Sequence, residues 1–202
     1  MTTPSIDFWF SIGSTYSYLS IMRLNDVERQ IGIPFEWRPF SVRKIMLEQN
    51  NIPFAEKPVK AAYMWRDIER RAQSYDLPVR VPAPYPLREF DLANKVAIIG
   101  RAEGWCRDYV VATYRRWFQQ GQPAGSEPNL SASLSEIGQD PVRVIVKAEE
   151  SLTGDAYFAA TDEARSLGVF GAPTFVVGRE VFWGDDRLED AVDWYRSHAQ
   201  TA

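Results

Sequence analysis

The chain has 202 residues, of which 45% are hydrophobic and 13% aromatic, so it can bury a core as one domain or as one domain with a large insertion. Its formal net charge of -4 argues against a nucleic acid or an anionic membrane as partner. Residues 1–5 lack the basic and apolar segments of a signal peptide, and no apolar run approaches the ~20 residues of a membrane span. We therefore expect a soluble, cytoplasmic protein with no membrane partner.

The single cysteine, Cys106, and the single histidine, His198, exclude several kinds of chemistry. An internal disulfide, a CxxC redox pair, a Cys/His zinc cluster and a pair of histidine ligands are all impossible, so we expect no metal site. His198 lies in a polar C-terminal tail, which argues against a Ser/His/Asp relay. We expect Cys106 to be a packing residue, because free cysteine is usually a small buried hydrophobe.

The first predicted element is a strand over residues 6–11, where large apolar side chains alternate with others. Gly13 marks a turn, and Ser14 then stands where a helix N-cap belongs if the helix begins at Thr15. The free amides of a helix start carry partial positive charge and can hold an anion such as a thiolate. From these residues alone, Ser14 is either a simple cap, the usual role, or part of an anion site.

The predicted first helix runs to a stop signal at Gly32 and Pro34, and residues 35–40 alternate as a second strand. This β-α-β unit predicts a central, mostly parallel sheet.

Residues 42–167 read as helices broken by loops at residues 50–58, 78–86 and 122–129. Asp140 and Pro141 predict a capped helix start, and another helix is predicted from Asp155 to Leu167. The loop at residues 78–86 is rich in proline, so we expect it to be stiff and to form one wall of a cleft.

Strand signals return at residues 171–184, where a Gly-Arg turn predicts a hairpin, and a last helix is predicted from Asp186. The Ala172-Pro173 bond is a candidate for the cis form. The order is therefore β-α-β, a helical block, and β-β-α.

That layout, with Ala172-Pro173-Thr174-Phe175 opening the third strand, resembles the thioredoxin fold with a helical insertion, as in DsbA-like oxidoreductases. The resemblance implies an α/β thioredoxin-like domain at residues 1–41 and 169–202 and a helical insertion domain at residues 42–168. Where those proteins carry CxxC, this chain has Ser14-Thr15-Tyr16-Ser17-Tyr18. This segment is similar to the Ser-Pro-Tyr-Ser-Tyr/Trp motif of kappa-class glutathione transferases and 2-hydroxychromene-2-carboxylate isomerases.

Two more segments match that family. One begins at Asn51-Ile52-Pro53 and continues through Pro58, Lys60, Tyr63 and Asp67. The other is Gly168 to Phe175 followed by Phe182-Trp183-Gly184-Asp185-Asp186-Arg187, which resembles the isomerase branch more than the animal transferases. The departures are Thr15 for proline, Ala172 for valine, and Asp185 where the transferases often have serine.

The resemblance implies glutathione as the cofactor, with Ser14 as the catalytic residue that stabilises its thiolate. Lys60 and Asn51 are implied to lie near a carboxylate of the peptide, and Asp186 near its amine. The full implied set of cofactor-binding residues is Ser14, Asn51, Lys60, Ala172, Pro173, Asp185 and Asp186.

The isomerases of this family interconvert 2-hydroxychromene-2-carboxylate and trans-o-hydroxybenzylidenepyruvate, a step of naphthalene-type degradation, through reversible thiolate addition. Such a planar aromatic carboxylate needs an apolar slot and a cation or amide. The residues proposed for it are Asn51, Lys60 or Arg88 for the carboxylate and Trp9, Phe40, Trp65 and Pro86 for the walls. The alternatives are a kappa-like transferase and a non-catalytic thioredoxin-like binding module, and the family resemblance implies a homodimer.

Overall fold

Four strands form one sheet in the computed structural model, which describes residues 5–52, 54 and 56–198. They are β1 (Ile6–Phe10), β2 (Phe35–Pro39), β3 (Thr174–Val177) and β4 (Glu180–Trp183), and their spatial order is β2-β1-β3-β4. β1 pairs in parallel with β2, whereas β3 runs antiparallel to both β1 and β4. The prediction of a mostly parallel sheet is therefore wrong, because β3 enters beside β1 in the opposite direction and a tight hairpin reverses the chain again into β4.

The described helices follow the predicted order, with one before β2, a block of seven between β2 and β3, and one after β4. They are α1 (Ser17–Ile31), α2 (Val42–Glu48), α3 (Pro58–Ser74), α4 (Phe90–Glu103), α5 (Cys106–Gln120), α6 (Asn129–Glu136), α7 (Pro141–Glu149), α8 (Ser151–Ser166) and α9 (Leu188–His198). A short 3-10 turn, Asp185–Arg187, precedes α9. This confirms the α/β fold with a large helical insertion. The division into two domains stays a prediction, and one large apolar cluster joins residues of both segments.

Local sequence signals explain most helix ends. α1 ends at Gly32, whose φ of +70° is left-handed and whose amide donates to the Glu28 carbonyl at 2.9 Å. α7 begins as predicted, because the Asp140 carboxylate accepts a hydrogen bond of 3.0 Å from the Val142 amide. Two predicted starts are wrong: α1 begins at Ser17 rather than Thr15, and α8 begins at Ser151 rather than Asp155.

The sheet is covered on both faces. Phe8 stacks between Phe10 and Phe175, with ring centroids 5.5 and 5.3 Å apart, in the larger cluster. The next side chain along β1, Trp9, points to the other face and packs at 5.9 Å from Phe40. Because β1 and β3 are antiparallel, the loop that follows Phe10 and the loop that precedes β3 lie at the same edge of the sheet.

Cys106 is buried at the start of α5, which confirms its prediction as a packing residue. Burial raises the pKa of its thiol to about 12. His198, at the end of α9, stacks on Trp194 with ring centroids 3.9 Å apart. Across the described residues, no helix combines the length and apolar character needed to cross a membrane, and no three His, Cys, Asp or Glu side chains cluster as metal ligands.

Candidate functional site

Ser14 joins the two loops that meet at the edge of the sheet. Its hydroxyl donates a hydrogen bond of 2.7 Å to the carbonyl oxygen of Ala172. The Ala172-Pro173 bond is cis, as predicted, and the Pro173 carbonyl accepts from the Gly184 amide at 2.9 Å. Ser14 is not the N-cap of α1, because Tyr16 holds that position without a side-chain capping bond. In the first turn, the Tyr18 and Leu19 amides donate to the Thr15 and Tyr16 carbonyls at 3.3 and 3.2 Å.

A cavity of about 320 Å³ opens beside Ser14 and Ala172. Its walls come from the loop after β1, from α2 and the loop after it, from the proline-rich loop, and from the segment before β3. Five predicted site residues line it, namely Ser14, Asn51, Lys60, Pro86 and Ala172. The proline-rich loop thus forms a cleft wall, as predicted. Further lining residues include Arg43, Phe54, Tyr85, Phe90, Phe170 and Trp183.

Two buried polar residues of the helical insertion hold the loop that carries Ser14. Asn94 of α4 accepts from the Ile12 amide and donates to the Ile12 carbonyl, both at 2.8 Å. The Tyr114 hydroxyl of α5 lies 3.1 and 3.0 Å from the carbonyl oxygens of Ser11 and Ser14. Sequence analysis missed both residues. Asn94 falls at helical spacing with the apolar residues Phe90, Ala97 and Ile98, which was a signal for the first. Tyr114 stands near other aromatic residues with no distinguishing sign.

Aromatic side chains form most of the remaining wall. The Tyr85 ring makes edge-on contacts with Phe54 and Trp65, at centroid distances of 6.2 and 6.0 Å. Phe170 packs against Trp183 at 4.9 Å, and Trp183 is 53% exposed at the mouth. The cavity therefore offers flat apolar surfaces suited to a planar ring.

The charged groups that line the cavity are both cations. In the described part of the chain, neither Lys60 nor Arg43 has a carboxylate within salt-bridge distance, and no carboxylate lines the cavity. The Lys60 ammonium lies 5.8 Å from the centre of the Phe54 ring. Burial raises the pKa of the Tyr85 phenol, with nearby Arg43 acting in the opposite direction. The site thus favours an anionic ligand.

Two predicted wall residues lie inside the smaller apolar cluster. Trp9 and Phe40 are fully buried, pack against each other in the smaller apolar cluster, and do not line the cavity. Their assignment as substrate walls is wrong, because both side chains are completely enclosed, whereas Val42 and Met46 of the same cluster line the cavity.

Two further residues that were predicted to bind the substrate also lie outside the cavity lining. Trp65 does not line it, but supports Tyr85 from behind. Arg88 is exposed in the loop before α4 and does not line the cavity either. The sequence could not show that Arg88 is outside the cavity lining, because Pro86, only two residues earlier, does line the cavity.

Asp185 is enclosed by the protein itself. Its side chain is 2% exposed and accepts hydrogen bonds from the Ser20 hydroxyl at 2.9 Å and the Tyr75 hydroxyl at 3.2 Å. Arg23 and Arg71 form ion pairs with it at 3.2 and 2.9 Å. The structure therefore contradicts the expectation that Asp185 binds glutathione, because its carboxylate is already fully partnered.

Asp186 differs from its neighbour. It is exposed in the 3-10 turn, 3.5 Å from Arg187, and does not line the cavity, so its contact with a ligand amine stays a prediction. Pro173 is buried and contributes through its cis bond rather than as a lining residue. The predicted motif residue Pro53 lies outside the described residues.

Comparisons with known proteins agree with this geometry. The model of the DSBA-like thioredoxin domain matches residues 5–196. A 2-hydroxychromene-2-carboxylate isomerase of Sphingobium xenophagum is 29% identical over 189 residues, which cover 93% of this chain and 95% of that protein. Glutathione S-transferase kappa 1 of Caenorhabditis elegans is 22% identical over 203 residues, with 94% and 90% covered.

The likeness extends to solved structures. A 2-hydroxychromene-2-carboxylate isomerase superposes with a TM-score of 0.83 and 26% sequence identity, covering 98% of both chains. The resemblance drawn from the three sequence motifs is thus confirmed, as is the thioredoxin-like fold with its helical insertion. The chain belongs to the DSBA-like thioredoxin domain family.

Proposed function

We propose that the protein is a glutathione-dependent isomerase that interconverts 2-hydroxychromene-2-carboxylate and trans-o-hydroxybenzylidenepyruvate. The observation that carries this proposal is the Ser14 hydroxyl, which stands at an apolar, cation-lined cavity where oxidoreductases of this fold carry a cysteine. The similarity to proteins named as isomerases over more than nine-tenths of the chain supports the same activity.

The residues present fit a peptide thiol. Ser14 can donate to a sulfur, and the Ala172 carbonyl beside it can accept from a peptide amide. Lys60 and Asn51 line the cavity with exposed polar ends suited to a carboxylate. Asp186 is the exposed carboxylate of the 3-10 turn and would bind an ammonium group. We assign glutathione to these residues.

When bound, glutathione supplies a thiolate that adds reversibly to a carbon–carbon double bond and leaves unchanged, so that the bond can rotate in between. The role of Ser14 is to favour the ionised thiol. Lowering a thiol pKa from ~8.5 to ~7 requires about 2 kcal/mol of preference for the anion. A hydrogen bond from Ser14 and the start of α1 contribute about 1 kcal/mol each.

The test is Ser14→Ala, with Ser166→Ala on the exposed end of α8 as the matched control. We expect Ser14→Ala to lower isomerase turnover ~10- to 1000-fold without unfolding the protein, because it removes one preorganised donor. The pKa of bound glutathione, followed by thiolate absorbance against pH, should rise in Ser14→Ala and stay constant in the control. Wild-type turnover and thiol pKa in Ser14→Ala would contradict the assignment.

A second candidate function is a kappa-like transferase, favoured by the similarity to glutathione S-transferase kappa 1. The same Ser14 would serve both reactions, so the products decide between them. Unchanged glutathione with isomerised substrate supports the isomerase, whereas a stable thioether with 1-chloro-2,4-dinitrobenzene supports the transferase. Absence of glutathione binding at millimolar concentration would exclude both and leave a binding module.

Two properties accompany the proposal. We place the protein in the cytoplasm, where glutathione maintains the thiol pool. We also propose a homodimer, following the family resemblance, and sedimentation velocity would measure that state.

A further inference from the structure

Arg43 is the second residue of α2 and was not among the residues singled out from the sequence. Its guanidinium carbon lies over the Phe90 ring, 5.0 Å from the ring centre, within the range of a cation–π contact. Arg43 is exposed and has no salt bridge within the described residues. An arginine that lies over an aromatic ring and has no ion-pair partner can still donate its N–H groups to a ligand.

We propose that Arg43 binds the carboxylate of a planar aromatic acid in the cavity and so determines substrate specificity. The inference rests on the proposed function for the identity of the substrate, but the binding itself can be tested without catalysis. Arg43 is thus a fourth candidate beside Asn51, Lys60 and Arg88, the residues among which the sequence left the carboxylate partner open.

The other cations nearby are less suited to this role. Arg88 does not line the cavity. Lys60 lies 5.8 Å from the centre of the Phe54 ring and is assigned to the peptide cofactor. Arg43 lies over the Phe90 ring and near Tyr85, and both of these aromatic residues line the cavity and suit the ring of the substrate. A guanidinium also presents two parallel N–H groups to a carboxylate, which an ammonium group does not.

A second hollow, of about 330 Å³, adjoins the first and shares Arg43 and Phe90 with it. It is lined by two more cations, Lys44 and Lys95, against one carboxylate, Asp91. The Tyr157 hydroxyl already donates to Asp91, at 3.2 Å. The field outside Arg43 is therefore positive on balance and attracts an anionic substrate towards it.

The first experiment measures binding of trans-cinnamate, a planar aromatic carboxylate, and of its neutral analogue cinnamamide. We expect Arg43→Gln to weaken cinnamate binding ~10- to 100-fold, because a charge-assisted bidentate contact is lost, and to leave cinnamamide binding unchanged. Arg43→Lys should fall in between. Arg179→Gln, at the exposed hairpin turn, is the control with no expected change, and thermal unfolding verifies that each variant folds.

The second experiment measures isomerase kinetics and glutathione affinity. Arg43→Gln should raise KM for trans-o-hydroxybenzylidenepyruvate by a similar factor and leave the Kd of glutathione as in wild type. The proposal is overturned if wild type does not bind cinnamate, if Arg43→Gln binds it normally, or if Arg88→Gln loses more affinity than Arg43→Gln. Arg43-dependent cinnamate binding without isomerase activity would refute only the proposed function, whereas isomerase activity unaffected by Arg43→Gln would refute only the role of Arg43.

Discussion

Replacing Asn94 by alanine tests whether the helical insertion holds the loop that carries Ser14. The Asn94 side chain is fully buried and makes three hydrogen bonds, two to Ile12 and one of 2.7 Å to the Phe90 carbonyl. Asn94→Ala leaves the amide and the carbonyl of Ile12 without partners in the core. At about 1–3 kcal/mol for each unsatisfied group, the free energy of unfolding should fall by about 2–6 kcal/mol.

The same substitution should also reduce catalysis. Ile12 lies two residues before Ser14, and a displacement of the loop by about 1 Å can lower kcat/KM ~10- to 100-fold. Urea denaturation measures the stability, and isomerase kinetics well below the melting temperature measure the activity of the folded variant. We expect Asn94→Ala to lose stability and activity together.

Asn129 provides the matched control. It is equally buried, donates to the carbonyls of Thr113 and Gln122 at 3.1 and 2.8 Å, and accepts from Ser133 at 2.9 Å. Asn129 does not line the cavity, so Asn129→Ala should lose similar stability and keep its activity. The reasoning would be refuted if Asn129→Ala lost as much activity as Asn94→Ala, or if Asn94→Ala kept wild-type stability.

Two other changes probe stability alone. An arginine and a lysine on α7 hold the pKa of Glu103 at about 2, below its ordinary 4.5. The stabilisation from the ionised Glu103 is thus present above pH 4.5 and is lost as the pH falls towards 2. Because Glu103 is exposed, this stabilisation amounts to about 1 kcal/mol or less. In urea denaturation, Glu103→Gln and wild type should therefore differ slightly at about pH 7 and converge near pH 2. Gly125 has a φ of +79°, and a Cβ there would lie 2.2 Å from a backbone carbonyl oxygen, so Gly125→Ala should cost about 2–4 kcal/mol. Gly138→Ala, with a φ of +75° but open space around it, should cost only about 1 kcal/mol, and equal melting temperatures for the two variants would contradict the steric argument.

Much of the fold could be predicted because burial imposes a period of two on strands. The bounds of the strands at residues 6–10 and 35–39 were predicted within one residue. β2 alternates in burial as it does in sequence, whereas four of the five residues of β1 are buried because the sheet is covered on both faces. The direction of β3 could not be predicted in this way. Alternation is the same for parallel and antiparallel strands, and the chain reaches β3 only after seven described helices have set its point of entry.

The site was predicted where short motifs fix the residues and missed where the tertiary structure brings them together. Ser14, Asn51, Lys60 and Ala172 came from family motifs, and all four line the cavity. Arg43 carries no motif, and its role depends on Phe90, which is distant in sequence.

The error at Asp185 has a different cause. Two adjacent aspartates cannot be distinguished by sequence, whereas a 3-10 turn directs successive side chains to different surroundings. Here the turn buries Asp185 between Arg23 and Arg71 and exposes Asp186.

If the proposed function is right, the hydrogen bond between Ser14 and Ala172 predicts that the site binds a peptide thiol better than a thiol without an amide. A hydroxyl has one hydrogen, so Ser14 cannot donate to a thiolate and to the Ala172 carbonyl at once. Turning that hydrogen to the sulfur leaves the carbonyl without its partner, at a cost of about 1–3 kcal/mol if the site is closed to water. A thiol that also carries a backbone amide can donate to the carbonyl and offset the loss, whereas a thiol without an amide cannot. Under the proposed function, we therefore expect Ser14 and Ala172 together to favour a cysteine within a peptide.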